Sequence, residues 1–60
     1  MFDLPDVKRV QKSRPDLNED DACEVLGFLN DVYAVESFVA PDTDKLFKET
    51  ADYIYPLPGA

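Results

Sequence analysis

The sequence has no histidine and no tryptophan, only one cysteine, and two glycines. Without histidine it lacks the most common general base and metal ligand. Cys23 is alone, so it cannot form a disulfide within the chain, and a reducing, cytoplasmic compartment is expected. Gly27 and Gly59 are too few and too far apart for a glycine-rich phosphate loop. These absences predict a protein that is not an enzyme and that holds no cofactor or metal.

Basic residues are missing from the middle of the chain. Residues 15–44 contain nine carboxylates and no lysine or arginine. Four of the six bases lie in the seven residues just before this stretch: Lys8, Arg9, Lys12 and Arg14. The first fifteen residues therefore sum to +2 and the remaining forty-five to −9, which gives −7 overall. That charge opposes direct binding to nucleic acid or to an anionic membrane and favours a basic protein as partner.

Sixty residues predict a single small domain over 1–60, with loose ends at 1–3 and 56–60. A chain of this size buries only about 60% of its unfolded surface, so a partner or a second copy could complete the burial. No uncharged run approaches the roughly 20 residues of a membrane helix. We therefore expect a soluble protein.

Asn18 begins the best-defined predicted helix. It is a favoured N-cap, and three acids after it suit the positive end of the helix dipole: Glu19, Asp20 and Asp21. At 100° per residue from Asp20, one face between about 120° and 240° is apolar. Its members are Ala22, Val25, Leu26, Leu29, Val32 and Tyr33. The opposite face, within about 40° of zero, carries a row of carboxylates. These are Asp20, Glu24 and Asp31, with Gly27 beside them and Phe28 on the flank.

Two further helices are predicted on either side. The first starts at Asp3 with Pro5 in its first turn and stops at Arg14, because Pro15 disfavours helical geometry in the residue before it. The third starts at Asp42 or Thr43 and stops before Pro56. Its expected buried face comprises Leu46, Phe47, Thr50, Ala51 and Ile54. Asp44 and Lys48 have the spacing of a helical ion pair.

Residues 34–40 permit either a short strand or a continuation of the second helix to Ser37. The sequence therefore predicts a mostly α fold of three short helices around one small core. The alternative is a small α+β fold in which this segment pairs with residues 53–57 or 2–4.

The acidic face is the candidate partner-binding site. An ordinary solvated face mixes both charge signs, whereas this one carries acids alone. We expect Asp20, Glu24 and Asp31, with Glu19, Asp21 and the apolar Phe28, to occupy a basic groove that normally takes a phosphate backbone. Small acidic inhibitors from phages and mobile elements, anti-CRISPR proteins among them, share this size and charge, although no motif assigns the chain to such a family.

The sequence also permits a second contact surface and an alternative function. The basic segment Lys8, Arg9, Lys12 and Arg14 could make a second contact, with the acidic face of another copy in a homodimer. Alternatively, the chain is a structural or regulatory subunit that docks through its apolar face on a larger assembly. Cys23, at the edge of that face, is expected to be a packing residue.

Calcium should not bind the acidic stretch that begins at Asp16. A calcium loop needs glycine at its sixth position and glutamate at its twelfth, and these positions hold Asp21 and Gly27. Millimolar calcium should therefore raise the melting temperature no more than an equal ionic strength of sodium does. A saturable rise at stoichiometric calcium, abolished by Asp16→Ala, would contradict this prediction.

Overall fold

A computed structural model describes residues 2–58, which form three α-helices. These are α1 (Leu4–Ser13), α2 (Glu19–Val32) and α3 (Thr43–Ile54). The predicted mostly α fold is confirmed, and the α+β alternative is wrong because the described residues include no strand. Of the predicted loose ends, Met1, Gly59 and Ala60 lie outside the described residues.

The helices begin where the sequence predicts. Asn18 is the N-cap of α2, and its side chain accepts a hydrogen bond from the backbone N–H of Asp21 at 2.8 Å. Asp3 and Asp42 occupy the N-cap positions of α1 and α3 without a side-chain capping bond. Pro5 lies in the first turn of α1, where its missing N–H leaves no helical hydrogen bond unmade.

No glycine or proline in the sequence marks the end of α2. Ala34 follows the C-cap Tyr33 with φ of 56°, a left-handed conformation that glycine usually supplies. The N–H of Val35 then donates to the carbonyl of Leu29 at 3.1 Å. Helix continuation to Ser37 is therefore wrong, because the chain reverses its twist at Ala34.

Residues 35–40 are neither strand nor helix, so the predicted strand at 34–40 is also wrong. The described residues offer this segment no strand to pair with. The segment is held to the core by Phe38, whose side chain is buried. The centre of its ring lies 5.5 Å from the ring centre of Phe47 and 6.4 Å from that of Phe2.

All three helices contact one another around a single core. The buried apolar side chains are Val7, Val10, Leu17, Ala22, Val25, Leu26, Leu29, Phe38, Phe47 and Ala51. Cys23 is half-buried against this core. Arg9 and then Arg14 along α1 pair with Asp44 and then Asp52 along α3, so these two helices run in the same direction. The helix α2 packs against both of them.

Three residues predicted for the core lie at the surface. Val32 is 60% exposed, Tyr33 63% and Leu46 41%. Each lies at an edge of its helix's apolar face or at its end, beyond the reach of the two neighbouring helices. The apolar faces of α2 and α3 are therefore wider than their mutual packing covers. No helix among residues 2–58 is long and apolar enough to cross a membrane.

A substitution at Leu29 tests which face of α2 is packed into the core. It is fully buried, so Leu29→Ala should lower the free energy of unfolding by about 2–5 kcal/mol. That is a large part of the stability of so small a domain. Val39→Ala, at a position 87% exposed, is the control and should change it by less than about 0.5 kcal/mol. Overlapping melting curves for Leu29→Ala and wild type would contradict the packing.

Candidate protein-binding surface

Arg14 is the most buried charged side chain in the described part of the molecule, at 4% exposure. Its guanidinium donates two bonds to Asp16, from Nε at 2.9 Å and from Nη2 at 2.8 Å. A third, from Nη1, reaches Asp52 on α3 at 2.8 Å. The hydrogen bond to Asp16 is the main reason that the pKa of Arg14 is raised. Arg14 thus joins the end of α1 to the following turn and to α3.

Arg9 makes a second link between α1 and α3. Its Nε donates to Asp44 at 3.0 Å, its Nη2 donates to the carbonyl of Ala40 at 3.2 Å, and its guanidinium carbon lies 5.2 Å from the Phe47 ring centre. The predicted pair between Asp44 and Lys48 is wrong, because Asp44 faces α1.

These contacts divide the predicted basic segment in two. Arg9 and Arg14 bind carboxylates of the chain itself, so their charges are largely neutralised inside the fold. Lys8 and Lys12 are exposed, and neither has a carboxylate within 4.0 Å among residues 2–58. An exposed basic contact would therefore consist of these two lysines.

Carboxylates on α3 are all paired. Asp44 binds Arg9, Glu49 lies 4.0 Å from Lys45, and Asp52 binds both Arg14 and Lys48 at 2.8 Å. Hydrogen bonds from Lys48 first, and then from Arg14, lower the pKa of Asp52. Asp44 and Asp52 are therefore neutralised by close partners, whereas Glu49 is only weakly paired at the surface.

Carboxylates on α2 are not paired with any base of the described chain. Its five acids have no lysine or arginine nitrogen within 4.0 Å: Glu19, Asp20, Asp21, Glu24 and Asp31. All except the half-buried Asp21 are exposed. The acidic face that the sequence predicts on this helix is thus present as an uncompensated surface.

Two contacts modify that face. The hydroxyl of Tyr55 donates a short hydrogen bond to Glu24, which is the main reason that the pKa of Tyr55 is raised. Gly27, which lies on this face as predicted, is half-buried: a Cβ placed there would lie 3.9 Å from the Phe2 ring. Phe2 therefore contacts α2 at Gly27, between Glu24 and Asp31.

Phe28 lies beside the acids, as predicted, but it is half-buried in an aromatic cluster. Its ring centre is 5.7 Å from those of Tyr33 and Tyr53. The three rings border a groove of about 510 Å³ between α2 and α3. The sequence does not predict this groove, because a single exposed aromatic such as Tyr53 is ordinary and only its contiguity with Phe28 and Tyr33 in the fold makes a patch.

Between Phe2 and Pro58 no three thiol or carboxylate groups converge closely enough to hold a metal ion. Every buried side-chain nitrogen and oxygen in that range has a hydrogen-bond partner. What the surface presents is unpaired charge beside exposed aromatic rings. Comparisons with protein families, curated proteins and solved structures find no match for the chain.

Acid should weaken the fold through Arg14. Its hydrogen bond is the main reason that the pKa of Asp16 is lowered, and the pKa of Asp52 is lowered too. Groups with a folded pKa below the unfolded value of about 3.9 stabilise the protein above that pH, and the effect is lost as pH falls through the folded pKa. The melting temperature should therefore fall between pH 5 and pH 2.

Arg14→Lys tests the same interaction at neutral pH. Lysine cannot donate to both carboxylates with a planar fork, so the melting temperature should fall by about 5–10 °C at pH 7. The fall with acid should also become shallower. Lys12→Arg, at an exposed position of α1, is the matched control and should leave both quantities unchanged. Parallel acid profiles for wild type and Arg14→Lys would show that the pairs contribute nothing.

Proposed function

We propose that the chain is a non-enzymatic, acidic protein-binding module that acts by occlusion, covering a basic groove in which its partner binds nucleic acid. The supporting observation is the contrast between α2 and α3. Every carboxylate on α3 has a basic partner, whereas none of the five on α2 has one among residues 2–58. The unpaired acids are thereby concentrated on one helix, where they form a negative surface that a basic groove would complement.

The spacing of these charges supports mimicry of a phosphate backbone. From Glu19 to Asp31 the helix rises about 18 Å at 1.5 Å per residue. Five charges over that length leave four intervals that average about 4.5 Å, of the same order as the roughly 3.4 Å per phosphate of one DNA strand. The helix backbone fixes these positions, so the entropy lost on binding is small.

The biological setting follows from the same features by analogy of composition. A small, acidic, reduced-cysteine protein that blocks a nucleic-acid site fits a phage or mobile-element inhibitor of the anti-CRISPR kind, working in the cytoplasm. The second candidate is a structural or regulatory subunit that docks through an apolar face. The exposure of Val32, Tyr33 and Leu46 favours that alternative specifically, because these side chains cost solubility without adding to the core.

Charge reversal on α2 should abolish capture of the partner. Asp20→Lys with Asp31→Lys places like charges against a basic groove, which should weaken binding by several kcal/mol. Glu24 is left unchanged because it accepts the bond from Tyr55. The tagged protein would be used to capture partners from lysate, and the captured protein's association rate would then be measured against salt. That rate should fall steeply as the Debye length shrinks from about 30 Å at 0.01 M to about 8 Å at 0.15 M.

Glu36→Lys with Asp42→Lys is the matched control. Both double variants replace two acids with two bases and raise the net charge from −7 to −3. Glu36 and Asp42 are exposed and lie outside the helices. The control should bind like wild type, and duplex DNA should compete with wild type for the captured protein. Equal losses in both variants, or no competition by DNA, would overturn the proposal.

A further inference from the structure

We infer that the groove between α2 and α3 receives an apolar side chain from a basic amphipathic helix of the partner, while the carboxylates beside it pair with that helix's lysines or arginines. This inference rests on the proposed function in one respect, since it takes the partner to be basic. It adds which surface makes the close contact and which structural element the partner contributes.

The groove has the shape and chemistry of an anchor site. It encloses about 510 Å³ between two helices, and its lining includes Phe28, Tyr33, Val35, Leu46, Glu49 and Tyr53. Tyr53 is 74% exposed although its ring packs at a tilt against Phe28, with ring centres 5.7 Å apart. Tyrosine and phenylalanine are enriched at protein interfaces because they bury a large area at low conformational cost. The rings therefore form a preformed apolar floor that no part of the described chain covers.

Acids flank this floor on both sides. Glu24 lies four residues before Phe28 and Asp31 three residues after it, so both neighbour it on the surface of α2. Glu49 lines the groove from α3, and its one base, Lys45, is a distant and exposed partner at 4.0 Å. An apolar floor between carboxylates is complementary to an apolar side chain flanked by cations.

The position of the groove between two packed helices favours a helix as occupant. Grooves between two packed helices bind amphipathic helices through apolar residues one turn apart. On such a helix, lysines and arginines one turn from the buried apolar side chain would lie near the carboxylates of α2 and of α3 at the same time. A flexible basic tail would meet the charges but would have no repeated apolar side chain to place between Tyr33 and Tyr53.

A second copy of the chain fits less well. Its free cations, Lys8 and Lys12, lie with the exposed Leu4 at intervals of four residues on α1. However, α1 contributes nothing to the groove lining and packs against both α2 and α3 from the other side. The exposed face of α1 that carries Leu4, Lys8 and Lys12 therefore points away from the groove. Copies that associated through these two surfaces would form an open chain, because each copy would use a different surface from its neighbour, and they would not close as a symmetric dimer. Two chains of charge −7 also repel each other.

The test uses synthetic peptides as probes. The first, about five helical turns or roughly 18 residues long, has leucines on one face and lysines on the other. The second has the same composition in scrambled order, with no apolar face. Fluorescence polarisation with wild-type protein should give an affinity for the amphipathic peptide about tenfold or more above that for the scramble. Both peptides carry equal charge, so the ratio of the two affinities measures the contribution of the apolar face and not of charge.

Variants then assign the contact. Tyr33→Ser with Tyr53→Ser removes two exposed rings and should reduce the ratio to about one, while melting curves check that the fold persists. Val39→Ser is the control, because Val39 is also exposed but does not line this groove. This variant should keep the wild-type ratio of the two peptide affinities. Asp31→Lys should weaken both peptides together, since it acts through charge.

The outcomes separate this inference from the function on which it rests. Equal affinity for the two peptides overturns the groove site but leaves the acidic module standing. Preference for the amphipathic peptide that survives Tyr33→Ser with Tyr53→Ser also overturns it. Loss of preference in that variant, with no effect of charge reversal on the captured partner, keeps the groove and removes the proposed function. Concentration-dependent sedimentation of the protein alone, abolished by the tyrosine variant, would make a second copy the occupant and overturn the inference.

Discussion

Arg14 is the side chain on which the relative placement of the three helices depends. Its forked hydrogen bonds hold the turn between α1 and α2 through Asp16 and the last turns of α3 through Asp52. The core of so small a chain is thin, and hydrophobic contacts are non-directional, so they do not fix one arrangement of short helices by themselves. The planar guanidinium of Arg14 makes three directional hydrogen bonds, and these favour one arrangement of the helices. Removing it would leave two carboxylates facing each other across the α1–α3 junction.

This use of arginine determines the electrostatics of the whole surface. The chain has six bases against thirteen acids. Arg9, Arg14, Lys45 and Lys48 are all engaged by carboxylates on α3 or in the turn before α2. Since Lys8 and Lys12 lie exposed on α1, no lysine or arginine among residues 2–58 pairs with α2. The negative surface of that helix is therefore a consequence of where the scaffold needs its positive charges, as well as of the acids in its sequence.

Much of the fold could be predicted from the sequence because its signals are local. Asn18 and the acids after it identify the start of α2, Pro15 ends α1, and the spacing of Leu26 and Leu29 gives the buried phase. The end of α2 could not be predicted, since an alanine takes the left-handed position at Ala34 that glycine normally marks. The irregular path of residues 35–40 depends on Phe38 meeting Phe47, a contact that no local pattern encodes.

The candidate surface was predictable in its charges but not in its groove. Helical periodicity places apolar residues on a common face and cannot tell how much of that face two neighbouring helices will cover. Val32, Tyr33 and Leu46 share the period of the core, yet they lie beyond the α2–α3 contact. The acids of α2 lie close to this surface because the polar and apolar faces of a helix only about 10 Å across adjoin along its whole length. Long-range attraction and close apolar contact can thus act on one partner at once. The first would set how fast the partner arrives, and the second how slowly it leaves.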